Sequence, residues 1–425
     1  MNFVYHLLTY FLLLPYTLYW TARALFNPDY RGQLRQRFGF GYPRFEACLW
    51  VHAVSVGEVV AAAPLIHALK RNWPAYPVLV TTVTPTGAAR VRKLFGDSVS
   101  HAYIPFETPD AVERFFDAVR PAIALIMETE IWPNLYRACG QRNIPLVLVS
   151  ARISPRSVTS YRKLLPLFRE TLSHGIVIAA QSAADAERFL SLGANPARTR
   201  VVGNIKFDIE VPGDLRERGA SFRREVLGDR RYVWIAASTH EGEEEQVLQA
   251  HRRVRERLPD ALLILVPRHP ERAQAVAGQL TRRGFSFVRR SAGESVTTAT
   301  EVYLVDTLGE LAMFYACSDV AFVGGSLVPV GGHNALEPAA LGLPILTGPY
   351  TFNAEDIAEM LQEAGAAIEV NDATSLADVA AKILASPRIR DLRGAAGQRI
   401  VAENRGALDR LMRLLQPLLA QFPDR

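Results

Sequence analysis

The sequence predicts an α/β protein built from two doubly wound domains, each with a parallel sheet. Short apolar runs of strand length alternate with longer segments of helical period, and this alternation is typical of βαβ units. The alternation is interrupted between residues 208 and 220 and then resumes, which indicates a second domain of the same class. The length of 425 residues agrees, because a single hydrophobic core rarely keeps growing in a chain of that size.

Each domain contributes five predicted strands. Those of the first domain are 49–54, 78–83, 122–127, 145–150 and 176–180, and those of the second are 232–237, 262–267, 302–305, 320–323 and 344–346. We therefore predict a first domain over 22–207, a linker over 208–220 and a second domain over 221–425. The amphipathic segment 408–419 predicts a last helix that can pack back on the first domain.

The amino-terminal segment 1–21 contains no Lys, Arg, Asp or Glu and carries aromatic residues near both ends. Its length is close to the roughly 20 residues that cross a hydrocarbon core. Positive residues beside a span tend to stay cytoplasmic, and four arginines follow here: Arg23, Arg31, Arg35 and Arg37. We expect a retained membrane anchor, with both domains on the cytoplasmic side. The alternatives are a buried terminal helix and a helix lying in the membrane interface.

Composition and charge narrow the class of protein. The 49% hydrophobic and 21% charged residues are ordinary for a folded chain, and the net charge of +5 suits an anionic membrane surface or phosphorylated substrates. Nucleic-acid binding is disfavoured, because no zinc-finger spacing, RNP-like aromatic strand or dense basic stripe occurs. Three isolated cysteines in apolar surroundings predict buried thiols in a reducing compartment and no cysteine metal site: Cys48, Cys139 and Cys317.

The most informative stretch is the glycine-rich segment 324–339, GGSLVPVGGHNALEPA, which leaves a buried strand and enters a helix near Asn334. Gly331 and Gly332 would expose backbone amides to an anion, and the helix start would add unpaired N–H donors. Glu337, one turn into the helix, can accept the hydroxyl protons of a ribose. The alternative is a capping arrangement between Asn334 and Glu337.

Two other strands of the second domain also end in polar residues. Arg268 and His269 follow one of them, and an arginine there offers a fixed cation to a phosphate or carboxylate. The other runs into 238–243, where Thr239 offers a hydroxyl to a phosphate. The alternatives are an exposed basic turn for the first segment and a helix cap for the second.

The strand ends of the first domain carry acidic residues. Ser55 and Glu58 have the spacing of a capping box, while the functional interpretation makes Glu58 a general base that removes a proton from a hydroxyl. Glu128 and Glu130 stand in an apolar context, where acids need partners or a task, and we favour Glu128 for acceptor binding or support. The alternative is that they cap the helix that starts near residue 132. A nearby basic cluster suits either an anionic acceptor or a solvated face: Arg152, Arg156, Arg162 and Lys163.

Several sequence signatures of other enzymes are absent. No Asp-x-Asp follows a strand, no His-x-x-x-His occurs and no acidic cluster has metal-ligand spacing, so we expect a reaction that uses no metal and no other cofactor. The P-loop pattern and an opening Gly-x-Gly-x-x-Gly are missing too, which disfavours ATPases, kinases and dehydrogenases.

In combination, these features resemble the 3-deoxy-D-manno-oct-2-ulosonic acid (Kdo) transferases of lipopolysaccharide assembly. The likeness spans nearly the whole chain and rests on the apolar amino terminus and on the segments 55–58 (SVGE), 127–130 (METE), 203–208 (GNIKFD), 267–272 (PRHPER) and 331–338 (GGHNALEP). It implies a GT-B fold with two domains facing a cleft. It also implies CMP-Kdo as donor and the lipid A precursor lipid IVA as acceptor, at the cytoplasmic face of a bacterial inner membrane.

The same resemblance implies roles for individual residues. The first domain would bind the acceptor, and Glu58 would be the general base of an inverting displacement. In the second domain Arg268 and the loop 331–334 would stabilise the leaving phosphate, and Glu337 would hold the ribose. Lys206 would contact the carboxylate or phosphate of the donor. The full predicted donor site is Lys206, Thr239, Arg268, His269, Gly331, Gly332, Asn334 and Glu337.

Two other classes of function stay open at this point. Another GT-B transferase or a sugar-nucleotide epimerase would use the same second-domain loops with a different sugar, and the identity of the donor would separate it. A nonenzymatic membrane protein that binds nucleotide sugars would use Glu58 only as a helix cap and would bind without turnover.

Overall fold

The computed structural model describes residues 2–26, 30, 34–162, 165–173, 175–228 and 232–420. The chain divides into two compact units, one made of Met1–Asp208 and Arg405–Arg425 and the other of Ile209–Asn404. Two basic residues considered above, Arg31 and Lys163, lie outside the described residues.

The first unit contains a seven-stranded parallel sheet in the order β3-β2-β1-β4-β5-β6-β7. The strands are β1 Cys48–His52, β2 Val78–Thr82, β3 Ser100–Tyr103, β4 Pro121–Met127, β5 Leu146–Ala151, β6 Val177–Ala180 and β7 Thr199–Val201. Strands β1, β2, β4, β5 and β6 are buried along their whole length, as expected for a parallel sheet covered on both faces. The predicted doubly wound sheet is confirmed.

Helices connect these strands and cover the sheet. They are α1 Asn2–Phe26, α2 Leu34–Arg37, α3 Val56–Asn72, α4 Pro85–Phe95, α5 Pro109–Val119, α6 Pro133–Gln141, α7 Pro155–Arg162, α8 Leu165–Ser173 and α9 Ala183–Ser191. Two apolar clusters fill the unit, and they contain the alternate side chains of β1, Trp50 in one and Leu49 with Val51 in the other.

The second unit repeats the architecture with a seven-stranded parallel sheet in the order β10-β11-β9-β8-β12-β13-β14. Its strands are β8 Tyr232–Thr239, β9 Ala261–Pro267, β10 Phe287–Arg289, β11 Val302–Leu304, β12 Val320–Val323, β13 Ile345–Thr347 and β14 Ala367–Glu369. All three cysteines of the chain are buried and unpaired.

The helices of the second unit begin inside the predicted linker. They are α10 Leu215–Glu225, α11 Glu243–Arg257, α12 Ala273–Arg282, α13 Leu311–Ala316, α14 Leu336–Leu341, α15 Glu355–Glu363, α16 Ala373–Ala385 and α17 Pro387–Asn404. Residues 215–220 of that linker are therefore helical, and Gly219 packs so tightly that a Cβ there would lie 2.6 Å from the Ala316 side chain.

The last helix, α18 Ala407–Leu419, belongs to the first unit although the second unit precedes it in the chain. Leu411 and Leu415 are fully buried in the cluster that contains α3. The Asp208 carboxylate holds the start of this helix, because its two oxygens accept hydrogen bonds from the Gly406 and Leu408 N–H groups at 2.6 and 2.5 Å.

Helix α1 differs from the predicted anchor. No helix in the described part of the chain is long and apolar enough to cross a membrane, because tyrosines, threonines, Pro15 and Trp20 interrupt the leucines of α1. Its inner face is buried at Trp20, and the Arg37 guanidinium lies 3.8 Å from the Trp20 ring centroid. Arg37 is itself only 2% exposed, so it is not one of the surface charges that the sequence predicts beside a membrane.

The order of the strands in each sheet determines which loops are neighbours. Strand β1 pairs with β4 in the first unit, and β8 lies between β9 and β12 in the second. Because neighbouring parallel strands end at the same edge of their sheet, the segments that follow them are neighbours as well. Each unit therefore gathers its predicted site residues at one edge of its sheet.

Candidate functional site

Acidic residues and one lysine meet at the strand ends of the first unit. Glu58 lies in the first turn of α3, directly after β1, and Glu128 directly follows β4. Lys206 lies in a short 3₁₀ turn after β7, and this turn contacts α3. As a result, Lys206 Nζ is 2.7 Å from Glu128 Oε1, although the two residues are 78 positions apart in sequence.

The Glu58 carboxylate is held by the main chain at one oxygen. Oε2 accepts a hydrogen bond from the Val54 N–H at 2.8 Å. Neither half of a capping box forms, because Glu58 accepts from the Val54 N–H and not from that of Ser55, and the Ser55 side chain makes no hydrogen bond to the first turn of α3. Among the described residues none donates a hydrogen bond to Glu58 Oε1, so one oxygen is available to a substrate.

The surroundings of Glu58 shift its acidity. Burial raises the pKa of this carboxyl to about 8, and the negative charges of Glu128 and Glu130 raise it as well. The Val54 N–H and the Lys206 ammonium act in the opposite direction. A group whose pKa lies near neutrality can take up a proton and release it under physiological conditions, which is what a general base requires.

Glu128 and Glu130 have different surroundings. Glu128 adopts a left-handed backbone conformation with φ of 55°, which costs a non-glycine residue energy and is frequent at functional sites. Its carboxylate forms the ion pair with Lys206. Glu130 instead accepts a hydrogen bond from the Trp132 Nε1–H at 2.7 Å, and burial raises its pKa. Glu128 is therefore the acid that holds Lys206, and the charge of Lys206 lowers the pKa of Glu58.

In the second unit, the buried carboxylate of Glu243 joins two loops. It accepts a hydrogen bond from the His240 N–H at 2.9 Å in the segment that follows β8. In the segment that follows β12, it accepts three more from the N–H groups of Gly325, Ser326 and Leu327 at 2.7 to 2.9 Å. Glu243 is fully buried, so these four donors replace the water that its charge would otherwise need.

The glycine-rich loop is folded on itself. The Gly331 and Gly332 N–H groups donate to the Gly325 carbonyl oxygen at 3.0 and 2.7 Å, because φ angles of 107° and 75° turn both amides inward. The prediction of exposed amides at these two glycines is therefore wrong. Glycine is still favoured at Gly331, since its φ of 107° strains other residues and a Cβ there would lie 2.5 Å from the side chains of Phe352 and Asn353.

Asn334 and Glu337 interact, but they do not form the capping box of the alternative, because Ala335 and not Asn334 is the N-cap of α14. The Asn334 Oδ1 accepts the Leu336 N–H at 3.0 Å, and its Nδ2 donates to Glu337 Oε1, also at 3.0 Å. Burial raises the pKa of Glu337, and the bond from Asn334 lowers it. Glu337 Oε2 has no hydrogen-bond partner among the described residues, so this carboxylate can still accept a ligand hydroxyl.

Basic side chains gather where β8, β9 and β12 end. His240 Nε2 lies 2.8 Å from His333 Nε2, and the His240 and His269 ring centroids are 5.7 Å apart. The pKa of His240 is lowered and that of His333 is lowered to about 4, in both cases mainly by burial and in part by the Arg268 guanidinium. This edge of the sheet carries positive charge and hydrogen-bond donors of the kind that an anionic ligand requires.

The sequence prediction missed three members of this group: His240, Glu243 and His333. All three stand in segments that the prediction had selected. Glu243 was missed because a buried charge was not expected in the acidic first turn of α11. Thr239, which was selected, is fully buried, and its hydroxyl donates to Glu244 Oε1 at 3.4 Å. Within the described residues, no three His, Cys, Asp or Glu side chains are grouped as metal ligands.

Known proteins resemble this chain in sequence and in fold. Residues 32–209 match the family described as 3-Deoxy-D-manno-octulosonic-acid transferase (kdotransferase). The 3-deoxy-D-manno-octulosonic acid transferase of Haemophilus influenzae is 43% identical over 92% of this chain and 93% of its own. The protein of that name from Bordetella pertussis is 39% identical over 90% and 91%. A solved structure, spinosyn rhamnosyltransferase SpnG with spinosyn aglycone, covers 87% of this chain and 100% of its own, with 16% identity and a TM-score of 0.52.

The fold of the protein is shared with a broad class, and its sequence identifies a particular family. Two parallel-sheet α/β units give it a fold that resembles the GT-B glycosyltransferases. The identity to curated relatives over most of their length is more specific: the chain belongs to the 3-deoxy-D-manno-octulosonic acid transferase family and is a glycosyltransferase enzyme. This membership decides against the epimerase and the nonenzymatic binding protein.

A Glu243→Gln substitution tests whether the buried carboxylate holds the two loops together. The amide would present N–H groups to backbone donors, so at least one hydrogen bond to a charged acceptor would be lost, at a cost of about 3 kcal/mol. We expect the amides of Gly325, Ser326 and Leu327 to exchange with solvent about 100-fold faster, measured by hydrogen–deuterium exchange. The exposed Glu241→Gln variant is the control. Equal protection in both variants would contradict this account.

Proposed function

We propose that the protein transfers Kdo from CMP-Kdo to the lipid A precursor lipid IVA, with inversion at the anomeric carbon and without a metal ion or other cofactor. The observation that carries this proposal is the state of Glu58. It is a strand-end carboxyl with a pKa of about 8 and one oxygen that no described residue occupies. Membership of the Kdo transferase family supports the sugar that is transferred.

In the proposed reaction, an acceptor hydroxyl attacks the anomeric carbon of Kdo as the bond from that carbon to the CMP phosphate breaks. The hydroxyl proton moves to Glu58, and the bonding electrons leave with CMP. Lys206 favours the ionised form of Glu58 and is proposed to contact the donor carboxylate. The Glu128 carboxylate holds this ammonium in place.

The second unit is proposed to bind the nucleotide part of the donor. No carboxylate in the described part of the chain pairs with Arg268, so its charge is available to a phosphate, whereas Arg272 is occupied by Glu244 at 3.0 Å. His269 is half exposed beside Arg268. Glu337 is proposed to accept the ribose hydroxyls through Oε2.

A Glu58→Gln substitution tests the base. The amide keeps the shape of the side chain but cannot accept the hydroxyl proton, so we expect turnover to fall by about 100-fold or more. The assay follows CMP release and product mass with CMP-Kdo and tetraacylated lipid A precursor in detergent, without added metal. CMP affinity should be unchanged, and the exposed Glu187→Gln variant should behave as the parent.

Two results would argue against this proposal. Undiminished turnover of the Glu58→Gln variant would make Glu58 a helix cap only. A folded parent that binds CMP but does not turn over CMP-Kdo would require a different donor sugar.

The raised pKa of Glu58 predicts the pH dependence of the reaction. The base must be ionised, so kcat/KM should rise about tenfold per pH unit below pH 8 and level off above it. A Glu130→Gln substitution removes a negative charge that raises this pKa, so the midpoint should move to lower pH. Rates measured from pH 5.5 to 9.5 check both expectations. A midpoint near pH 4.5 in the parent would contradict the burial argument.

We further propose that the protein binds the cytoplasmic surface of the bacterial inner membrane through α1, which would lie in the interface. The outer face of this helix exposes large apolar side chains, including Leu7, Phe11, Leu14 and Leu18 at 62 to 75%. An apolar face of this extent is typical of helices that insert into the headgroup region. Arg23, in the last turn, would remain among the lipid headgroups.

A Phe11→Asp, Leu14→Asp double substitution tests this localisation. Each large apolar side chain contributes about 2 kcal/mol when it leaves water, so binding to anionic vesicles should fall by more than about tenfold. Cosedimentation with vesicles of phosphatidylglycerol and phosphatidylethanolamine measures it. Leu392→Asp, at a site 72% exposed in the second unit, is the matched control. Equal sedimentation of all three proteins would exclude α1 as the membrane contact.

A further inference from the structure

Two histidines from different loops share one hydrogen bond in the second unit. His240 directly follows β8, and His333 stands in the glycine-rich loop after β12. Their Nε2 atoms are 2.8 Å apart, and the ring planes are nearly parallel, with an angle of 9° between them and centroids 5.0 Å apart. A bond between two imidazole nitrogens requires a proton on one Nε2 and a lone pair on the other. The neutral pair therefore contains one ring of each tautomer.

Such a pair can accept one more proton without breaking this bond. The ring that donates through Nε2 has a bare Nδ1, and a proton added there converts it to an imidazolium that still donates to its neighbour. The resulting bond is charge-assisted and therefore stronger. No described residue forms a hydrogen bond with Nδ1 of His240 or of His333, so this position is open to solvent or a ligand. A second added proton would place two N–H groups against each other.

Burial opposes this protonation most, and the charges around the pair oppose it as well. Arg268, His269 and Arg272 face the pair from the segment after β9, and Glu243 faces it from the start of α11. Arg272 is paired with Glu244, and the Glu243 carboxylate is occupied by backbone N–H groups. No carboxylate among the described residues pairs with Arg268. The side chains around the two histidines therefore carry more positive charge than available negative charge. A bound anion would add negative charge beside the pair and favour its protonation.

We propose that the His240–His333 pair is part of the nucleotide phosphate site and takes up one proton when a phosphate monoester binds there. This inference rests on the proposed function, in which the second unit binds CMP-Kdo. The proton comes from solvent and settles on the free Nδ1, while the hydrogen bond between the rings persists. The two loops already fix the spacing of the rings, so binding requires no rearrangement of the pair.

The proposal explains how the second unit would favour bond cleavage. The phosphate of CMP-Kdo is a diester with one negative charge, and it gains a second charge as the bond to the sugar breaks. A pair that becomes protonated in response to that charge stabilises the departing CMP more than the bound donor. His240 and His333 would thus act on the leaving group, while Glu58 acts on the attacking hydroxyl.

Proton uptake can be measured directly with CMP. Isothermal titration calorimetry of the full-length protein at pH 7.5, in HEPES and in Tris, gives the proton number from the difference in binding enthalpy. At this pH the CMP phosphate is already a dianion, because its second pKa is about 6. We expect uptake of about one proton per CMP, an affinity that falls about tenfold from pH 7.5 to 8.5, and no uptake with cytidine.

Variants and spectra locate the proton. His240→Gln and His333→Gln should each lose the uptake, while the exposed His67→Gln of the first unit should keep it. In the parent, the ¹H and ¹⁵N resonances of both rings should move towards imidazolium values when CMP is added. Loss of uptake only in His269→Gln would overturn the proposal by placing the proton elsewhere.

The two proposals fail in different ways. CMP binding without proton uptake, or without a change in the two imidazole spectra, would overturn the role of the pair and leave the donor site standing. A folded protein that does not bind CMP at all would overturn both.

Discussion

The arrangement of the second unit depends on one buried negative charge. Glu243 lies at the start of α11, yet three of its four hydrogen bonds reach the loop after β12. A carboxylate without water needs such donors, and the same bonds satisfy the buried amides of the loop. This constraint brings His240 against His333 and places Gly324 where a Cβ would lie 2.7 Å from the Ser238 carbonyl oxygen. The basic edge of the sheet follows from it.

The sequence predicted those parts of the fold that local composition controls. The central strands are continuous apolar runs, because both faces of a parallel sheet are covered, and all of these were found. Strand β3, Ser-His-Ala-Tyr, and the short edge strands β7, β10 and β14 were missed. Such strands bury few side chains, and only one of the three residues of β10, for example, is buried. At an edge, neighbouring strands rather than composition determine pairing.

For the candidate site too, the sequence predicted some residues, whereas the contacts between them depend on the fold. Glu58 and Glu128 could be selected because acids at the ends of apolar strands are conspicuous, but the Lys206 ion pair depends on where a distant turn passes. The capping pattern at Ser55 was ambiguous in sequence, and only the geometry separates a partly held carboxylate from a complete capping box. At the amino terminus, composition could not show that Trp20 and Arg37 pack together in the interior.

The placement of α18 has a consequence for how the protein is made. This helix completes the core beside α3, but it is translated only after the whole of residues 209–404 has been synthesised. The second unit can therefore reach its native state on the ribosome while the first still exposes the apolar groove that α18 fills. Until Asp208 captures the start of that helix, this groove is a surface for chaperones or for aggregation, and carboxyl-terminal truncation would damage the amino-terminal unit.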